Sequence, residues 1–321
     1  MCRTRTTRAL ATLLLGLAAA PASAAAQDGN ITFPVDELEQ RLRDDTLIIT
    51  DWRGSRMEKD RTQRVLLEYP DGTVLLTKWA KAPYGGGEFN NEPRYELAAY
   101  TLQKLFLEPQ DYVVPPTVLR AVPTAWLREH DPTAGPTFDH TSATLVLLQY
   151  WLMNVTNVDF WQEDRFERDS VYARHLADMN VLTYLIRHAD ENVGNFLVSQ
   201  DTLRPRVFSV DNGVSFRSEP SNRGYAWRDL RIDRLPHGTV ERLRAITRED
   251  LDRTLAILAT FEIRGDMLYP VDHPENLRDG RGVRRTDSHV QLGLTKAELN
   301  DVHNRLRRLV ERIDQGRIKT F

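Results

Sequence analysis

Three oxygen-bearing side chains fall close together in the second half of this 321-residue chain: Asp190, Asn195 and Asp211. The first two lie in His188-Ala189-Asp190-Glu191-Asn192-Val193-Gly194-Asn195-Phe196-Leu197-Val198, and the third in Phe208-Ser209-Val210-Asp211-Asn212-Gly213-Val214-Ser215-Phe216. Each stands at the edge of a short apolar, strand-like run, where a loop residue is held rigidly by the element beside it. Carboxylate and amide oxygens are the ligands that a hard cation such as magnesium takes. A carboxylate is also what a reaction at a hydroxyl group needs beside its acceptor. By themselves such residues serve equally as helix caps and turn formers, and that reading stays open at this point.

The elements that must position them follow from periodicity. Thr46-Leu47-Ile48-Ile49-Thr50, Arg64 to Tyr69 and Thr73 to Trp79 read as strands, the last two joined by Pro70-Asp71-Gly72, a hairpin signal. Tyr84 to Asn91, with Gly85-Gly86-Gly87, reads as a flexible loop. A helix is expected from Glu92-Pro93, with Tyr95, Ala98, Ala99, Leu102, Leu105 and Phe106 on one face. The prolines hold Val113 to Leu119 extended. Thr144 to Leu152 is a continuous apolar strand candidate.

Beyond it helices are expected to dominate. Ser170 to Arg187 carries Tyr172, Leu176, Met179, Leu182, Leu185 and Ile186 at helical spacing. Thr239 to Phe261 holds two helical patterns divided at Thr247-Arg248-Glu249-Asp250. Thr295-x-x-Glu298 is a capping box opening an amphipathic helix with Leu299, Val302, Leu306, Leu309, Val310 and Ile313 on its buried face. A strand-rich half followed by a helix-rich half predicts an α+β fold of two lobes.

The order of these pieces resembles the protein-kinase-like superfamily. An Asp with Asn five positions later, an apolar strand and then Asp-x-Gly is similar to that superfamily's catalytic and metal-binding loops. The local wording resembles its atypical branch, which contains the phosphoinositide 3- and 4-kinases, the HipA-type kinases and the Fam20-like secretory kinases. Lys78 ends a strand, as the phosphate-pairing lysine does. Glu96, in Tyr95-Glu96-Leu97-Ala98-Ala99-Tyr100, looks like the glutamate of the following helix. Val114-Pro115-Pro116-Thr117 resembles a segment of the phosphoinositide-kinase branch. Four blocks in this order span residues 64 to 216.

The resemblance implies a two-lobed kinase-like fold, residues 27–150 forming the N-lobe and 151–321 the C-lobe with its terminal amphipathic helix. It implies ATP as cofactor with magnesium or manganese. Lys78 would contact the α- and β-phosphates, Glu96 would hold its ammonium, and Asp190 would orient or deprotonate the acceptor hydroxyl. Asn195 and Asp211 would hold the metal. Backbone groups near Gln149, Tyr150 and Trp151 would meet adenine. Asn212 stands where ordinary protein kinases have phenylalanine.

Three departures accompany the resemblance. Ala189 replaces the arginine that reads activation-loop phosphorylation in many protein kinases. No G-x-G-x-x-G joins the first strands; the turn Trp52-Arg53-Gly54-Ser55-Arg56 would cap phosphates through Ser55 and backbone N–H groups. The match stops after Phe216. Arg223, Arg228, Arg231, Arg234, Arg281, Arg284 and Arg285 follow, either reading an acidic acceptor or forming a solvated surface with Asp229, Asp233 and Asp279. His188 reads as a packing residue.

Composition bounds the rest. With 41% apolar and 28% charged residues and 16 prolines, the chain has a sizeable core and is neither disordered nor a coiled-coil rod. A formal charge of -3 provides no single-signed field for nucleic acid or membrane. Arg3, Arg5 and Arg8, the apolar run Ala9 to Ala20 and Pro21 to Ala26 read as a signal peptide, residues 1–26, carrying the only cysteine, Cys2. A secreted or periplasmic protein without disulfides is expected. No other segment is apolar enough to span a membrane. None of the eight histidines pairs at zinc-motif spacing. The expected function is ATP- and metal-dependent phosphoryl transfer to a hydroxyl on a protein, lipid headgroup, sugar or inositol phosphate. A non-catalytic nucleotide- or partner-binding module and nucleotidyl transfer on the same fold are the alternatives.

Overall fold

The computed structural model describes residues 29–54, 62–88, 92–190, 192–220, 227–278 and 280–321. The segment expected as a signal peptide lies outside them, as do Ser55, Arg223 and Asp279.

Helix α1 (Val35–Arg43) opens the described chain. Its first turn carries Asp36 and Glu37 and its last Arg41 and Arg43, which suits the helix dipole, while Leu38 and Leu42 point inward. Strands β1 (Ile48–Arg53), β2 (Thr62–Glu68) and β3 (Val74–Lys81) follow. The first begins later than its apolar run suggested and absorbs Trp52 and Arg53, which the sequence assigned to a phosphate-capping turn. Cross-strand pairing with β2 continues to Arg53 and decides this. The Asp71-Gly72 hairpin forms as expected, Gly72 taking φ +80°.

Tyr84–Gly86 is one 3-10 turn rather than a loose connection. The Gly85 N–H donates to the Thr137 carbonyl at 2.8 Å. A methyl group on Gly86, already at φ +91°, would press on Val283 and Phe138. Helix α2 (Pro93–Gln103) starts on its proline and ends sooner than the pattern implied. Lys104, Leu105 and Phe106 bond three residues back, tightening the last turn while Phe106 stays buried. Strand β4 (Thr117–Pro123), the short helix α3 (Thr124–Leu127) and the wholly buried β5 (Ala143–Tyr150) complete a five-stranded sheet in the order β1-β2-β3-β5-β4.

The chain continues through β6 (Val155–Thr156), α4 (Glu163–Arg168), α5 (Ser170–Ile186), β7 (Phe196–Ser199) and β8 (Val207–Ser209). Strands β6, β7 and β8 form a small sheet at the foot of α5. Asp169 caps α5 by accepting from the N–H groups of Val171 and Tyr172, and Arg187 closes it at φ +51°. Leu176, Met179, Leu182 and Leu185 pack with α2 and the C-terminal helices in one large core.

Then come β9 (Arg234–Leu235), α6 (His237–Ala245), α7 (Arg248–Leu255), β10 (Ala259–Arg264), β11 (Met267–Pro270), β12 (Val283–Arg285), β13 (His289–Leu292), α8 (Lys296–Asp314) and β14 (Lys319–Thr320). The second helical pattern therefore stops at Leu255, and Phe261 belongs to a strand. The sequence reading missed a four-stranded antiparallel sheet, β11-β10-β13-β12, in a half expected to be helical. At Thr260, Phe261 and Ile263 the β-branched and aromatic residues favour the extended chain.

The two faces of the five-stranded sheet have different tasks. Val65, Leu67, Leu75, Trp79, Leu148 and Tyr150 pack against α1 on one face. On the other, Ala143 and Leu145 meet Phe261, Leu268, Val290 and Leu292 of the C-terminal sheet, each apolar side chain contributing about 1.5–3 kcal/mol on burial. The Ser142 N–H also donates to the Asp266 carbonyl at 2.7 Å. Residues 259–292 thus reach back to the N-terminal sheet. The arrangement is a two-lobed kinase-like α+β fold.

Candidate active site

Strand alternation sends Lys78 to the face opposite its neighbours Thr77 and Trp79, toward α2. Because α2 begins at Pro93, Glu96 falls in its first turn, where an acid suits the dipole. The two meet at 2.6 Å, Lys78 Nζ to Glu96 Oε1, and both are buried. Lys78 Nζ also stands 2.9 Å from Asp211 Oδ1. Burial opposes the Lys78 charge, but Asp211 and Glu96 outweigh it and hold the ammonium above the ordinary lysine range. Burial raises the Glu96 pKa more than Lys78 lowers it. Lys78 holds the Asp211 carboxyl below its usual range against the opposing effect of desolvation. The Asp211 side chain remains 56% exposed.

Asp211 takes φ +58° just after β8, a conformation that short polar side chains tolerate. The next residue ties this loop to α2: the Asn212 N–H donates to Glu96 Oε2 at 3.0 Å. The Asn212 side chain is buried and accepts from the Ser209 hydroxyl at 2.8 Å. The sequence marked Asn212 only as a departure from phenylalanine, and no local signal revealed its contact with Glu96.

The loops bearing Asp190 and Asp211 are bonded to one another. Ala189 and Asp190 N–H groups both reach the Val214 carbonyl, and the Val210 N–H reaches the Asn195 carbonyl at 2.9 Å. Asn195 Nδ2 donates to Asp190 Oδ2 at 3.0 Å. An ionised carboxylate only accepts, so the amide must turn its NH2 toward Asp190 and its Oδ1 away. Asn195 Oδ1 and the half-exposed Asp211 carboxylate, on loops bonded to each other, are hard oxygens of the kind that could hold magnesium or manganese. Among the described residues no three His, Cys, Asp or Glu side chains cluster as metal ligands. Two protein ligands with phosphates completing the shell is how magnesium is ordinarily held in nucleotide sites.

His188 fills the core beneath, its ring 5.1 Å from that of Phe196. Burial pushes its pKa down to about 4, so it is neutral packing, as expected.

The adenine-side expectation changes. Gln149 is buried and its Nε2 donates to Thr117 Oγ1 at 2.9 Å. Tyr150 points to the α1 face, where its hydroxyl meets Thr32. The Tyr150 N–H already donates to the Pro116 carbonyl and the Trp151 N–H to that of Leu76, both at 2.9 Å. These two donors are therefore engaged within the protein. Trp151 instead offers its ring, which carries the Arg64 guanidinium 4.4 Å above it.

The C-terminal basic residues separate as well. Arg284 is buried and bonds the carbonyls of Ala256 and Leu294 and the Gln291 side chain, which makes it structural rather than acceptor-reading. Arg234 bonds the Phe166 carbonyl. Arg231 lies over the Trp227 ring at 5.4 Å. Among the described residues no helix is long and apolar enough to cross a membrane.

No family model matches the chain, and no curated protein matches it. Among solved structures it is similar to that of hydra Fam20 with sugar, at 16% identity over 88% of this chain and 88% of that one, TM-score 0.54. It is similar also to the crystal structure of the Golgi casein kinase, at 14% identity over 88% of this chain and 76% of that one, TM-score 0.51. At such identities the likeness concerns the fold, and the fold is kinase-like.

Proposed function

We propose that the protein transfers the terminal phosphoryl group of ATP to a hydroxyl acceptor. The observation that carries this reading is Lys78 held between Glu96 and Asp211 beside the bonded pair Asn195–Asp190. Lys78 binds the α- and β-phosphates, and Glu96 keeps its ammonium in place; Lys78 lies within β3 and not at its end, since the strand runs on to Lys81. Asp190, held by the Asn195 amide, takes the proton of the acceptor hydroxyl as its oxygen bonds to the γ-phosphorus. The bond from that phosphorus to the bridging oxygen breaks, and ADP leaves. Asn195 Oδ1 and Asp211 would hold magnesium or manganese, which would supply positive charge against the charge developing on the phosphates. The acceptor class is open among protein, lipid headgroup, sugar and inositol phosphate. The reading includes export after removal of residues 1–26, and two lobes meeting near residue 150.

Calorimetric titration of residues 27–321 with ATP tests it, with magnesium, with manganese and with neither. Metal-dependent binding that Asp211→Ala abolishes is expected. A folded protein that binds no nucleotide under any of these conditions would refute the reading.

A further inference from the structure

The described site is short of positive charge. Lys78 faces two carboxylates, Glu96 and Asp211. A nucleotide brings several more negative charges, and one lysine with its own counter-ions does not balance them.

A second cation stands on the same face. Arg64 of β2 pairs directly with Lys78 of β3, and Lys78 with Gln149 of β5. Directly opposed residues of antiparallel strands project to one face, with Cα atoms about 4.5–5.5 Å apart. Tyr150 points to the α1 face, so Trp151 returns to the Lys78 face. There the Arg64 guanidinium carbon lies over its ring, 4.4 Å from the centroid. Among the described residues the Arg64 side chain has no hydrogen bond and no ion pair, its backbone alone being engaged in the sheet. Its cross-strand neighbour Arg53 differs, being bonded to Asp51 at 2.7 Å.

A guanidinium lying over an indole face leaves the N–H groups at its edge available for bidentate bonding to phosphate oxygens. The contact also holds the long side chain in one place, reducing the entropy lost on binding. Resting on the nucleotide reading above, we propose that Arg64, braced by Trp151, is a second phosphate-binding cation for the donor nucleotide. It engages the phosphates without metal, whereas Asn195 and Asp211 act through the metal.

Calorimetry with ADP, AMP and adenosine, each with and without magnesium, tests this on the wild type, Arg64→Met, Trp151→Leu and Lys78→Met. Arg64→Met should weaken ADP binding about tenfold, with or without magnesium, and leave adenosine unchanged. Trp151→Leu should weaken ADP less. Circular dichroism checks that each variant is folded. If Arg64→Met binds ADP like the wild type while Lys78→Met does not, the Arg64 assignment falls and the kinase reading stands. Equal losses for ADP and adenosine would also overturn it, because the residue would then contact the base. A wild type that binds none of the three removes both.

Discussion

Arg94 and Glu298 face each other through a two-pronged buried ion pair, Nη1 to Oε2 at 2.8 Å and Nη2 to Oε1 at 3.0 Å. The pair joins α2 to the capping box of α8, two positions from Glu96. The Tyr95 hydroxyl bonds the same carboxylate, and Glu298 also accepts from the Thr295 N–H at 2.8 Å. Glu298 therefore both caps its own helix and anchors the one that holds Glu96.

Removing Glu298 takes the two-pronged partner from the buried Arg94 guanidinium and leaves it Glu92, 3.1 Å from Nε. Glu298→Ala should lower unfolding stability by roughly 3–5 kcal/mol in denaturant titrations. At temperatures where the variant is still folded, the rate of phosphoryl transfer should fall as well, since Glu96 loses its support. Unchanged stability would show that the pair is ornamental.

Asn195→Asp replaces the amide donor on Asp190 Oδ2 with a second carboxylate at about the same 3.0 Å distance. Like charges so close do not both ionise readily. The rate of transfer at neutral pH should fall at least about a hundredfold, the scale of lost general-base assistance. A steady-state assay with saturating manganese and ATP checks this, and a variant as active as the wild type would remove Asp190 from its role.

Asp178 lies fully buried in α5, and burial pushes its carboxyl up to about 7 although the Thr239 hydroxyl donates to it at 2.7 Å. Asp111, Arg174 and Arg242 are the charged groups that influence it. The folded state therefore keeps a proton that the unfolded chain releases near pH 4, so this residue lowers stability as pH rises from about 4 to 7. Asp178→Asn should melt above the wild type at pH 8 and at about the same temperature at pH 4. The same melting difference at both pH values would contradict the assignment.

Gly293 sits against α7's end, where an added Cβ would come within 1.9 Å of the Ala256 carbonyl oxygen. Backbone cannot step aside as a side chain can. Gly293→Ala should cost at least about 1–3 kcal/mol of stability, the usual range for overpacking, measured by denaturant titration. Gly54→Ala, with no atom of the described residues within 4 Å of its Cβ position, should show no steric loss.

What could be read in advance was local. Thr295 and Glu298 announced α8 because a capping box is written within four residues, and both of its bonds form. Asp71-Gly72 announced the β2–β3 hairpin for the same reason. The C-terminal sheet could not be read this way. Its strands β12 and β13 have three and four residues, and charged Glu262, Arg264, Arg284 and Arg285 interrupt the apolar pattern. Its apolar partners Phe138 and Leu145 lie far away in the chain. In the site, the spacing of Asp190, Asn195 and Asp211 was legible, and resemblance supplied Lys78 and Glu96. The bond from Asn212 to Glu96 and the contact of Arg64 with Trp151 depend on register and tertiary approach, which no stretch of sequence displays.

Because residues 259–292 rest on the N-terminal sheet through Phe261, Leu268 and Val290, the chain crosses between the halves more than once. A hinge served by a single strand can swing; one buttressed on its far side by a packed sheet and by the Arg94–Glu298 pair resists swinging. Opening the two halves like a clam would tear apolar contacts around Phe138 and Leu145 and break the bond between Ser142 and Asp266. Separation of the two halves is therefore opposed by packed side chains, and the Glu96 helix is held in position by the Arg94–Glu298 pair.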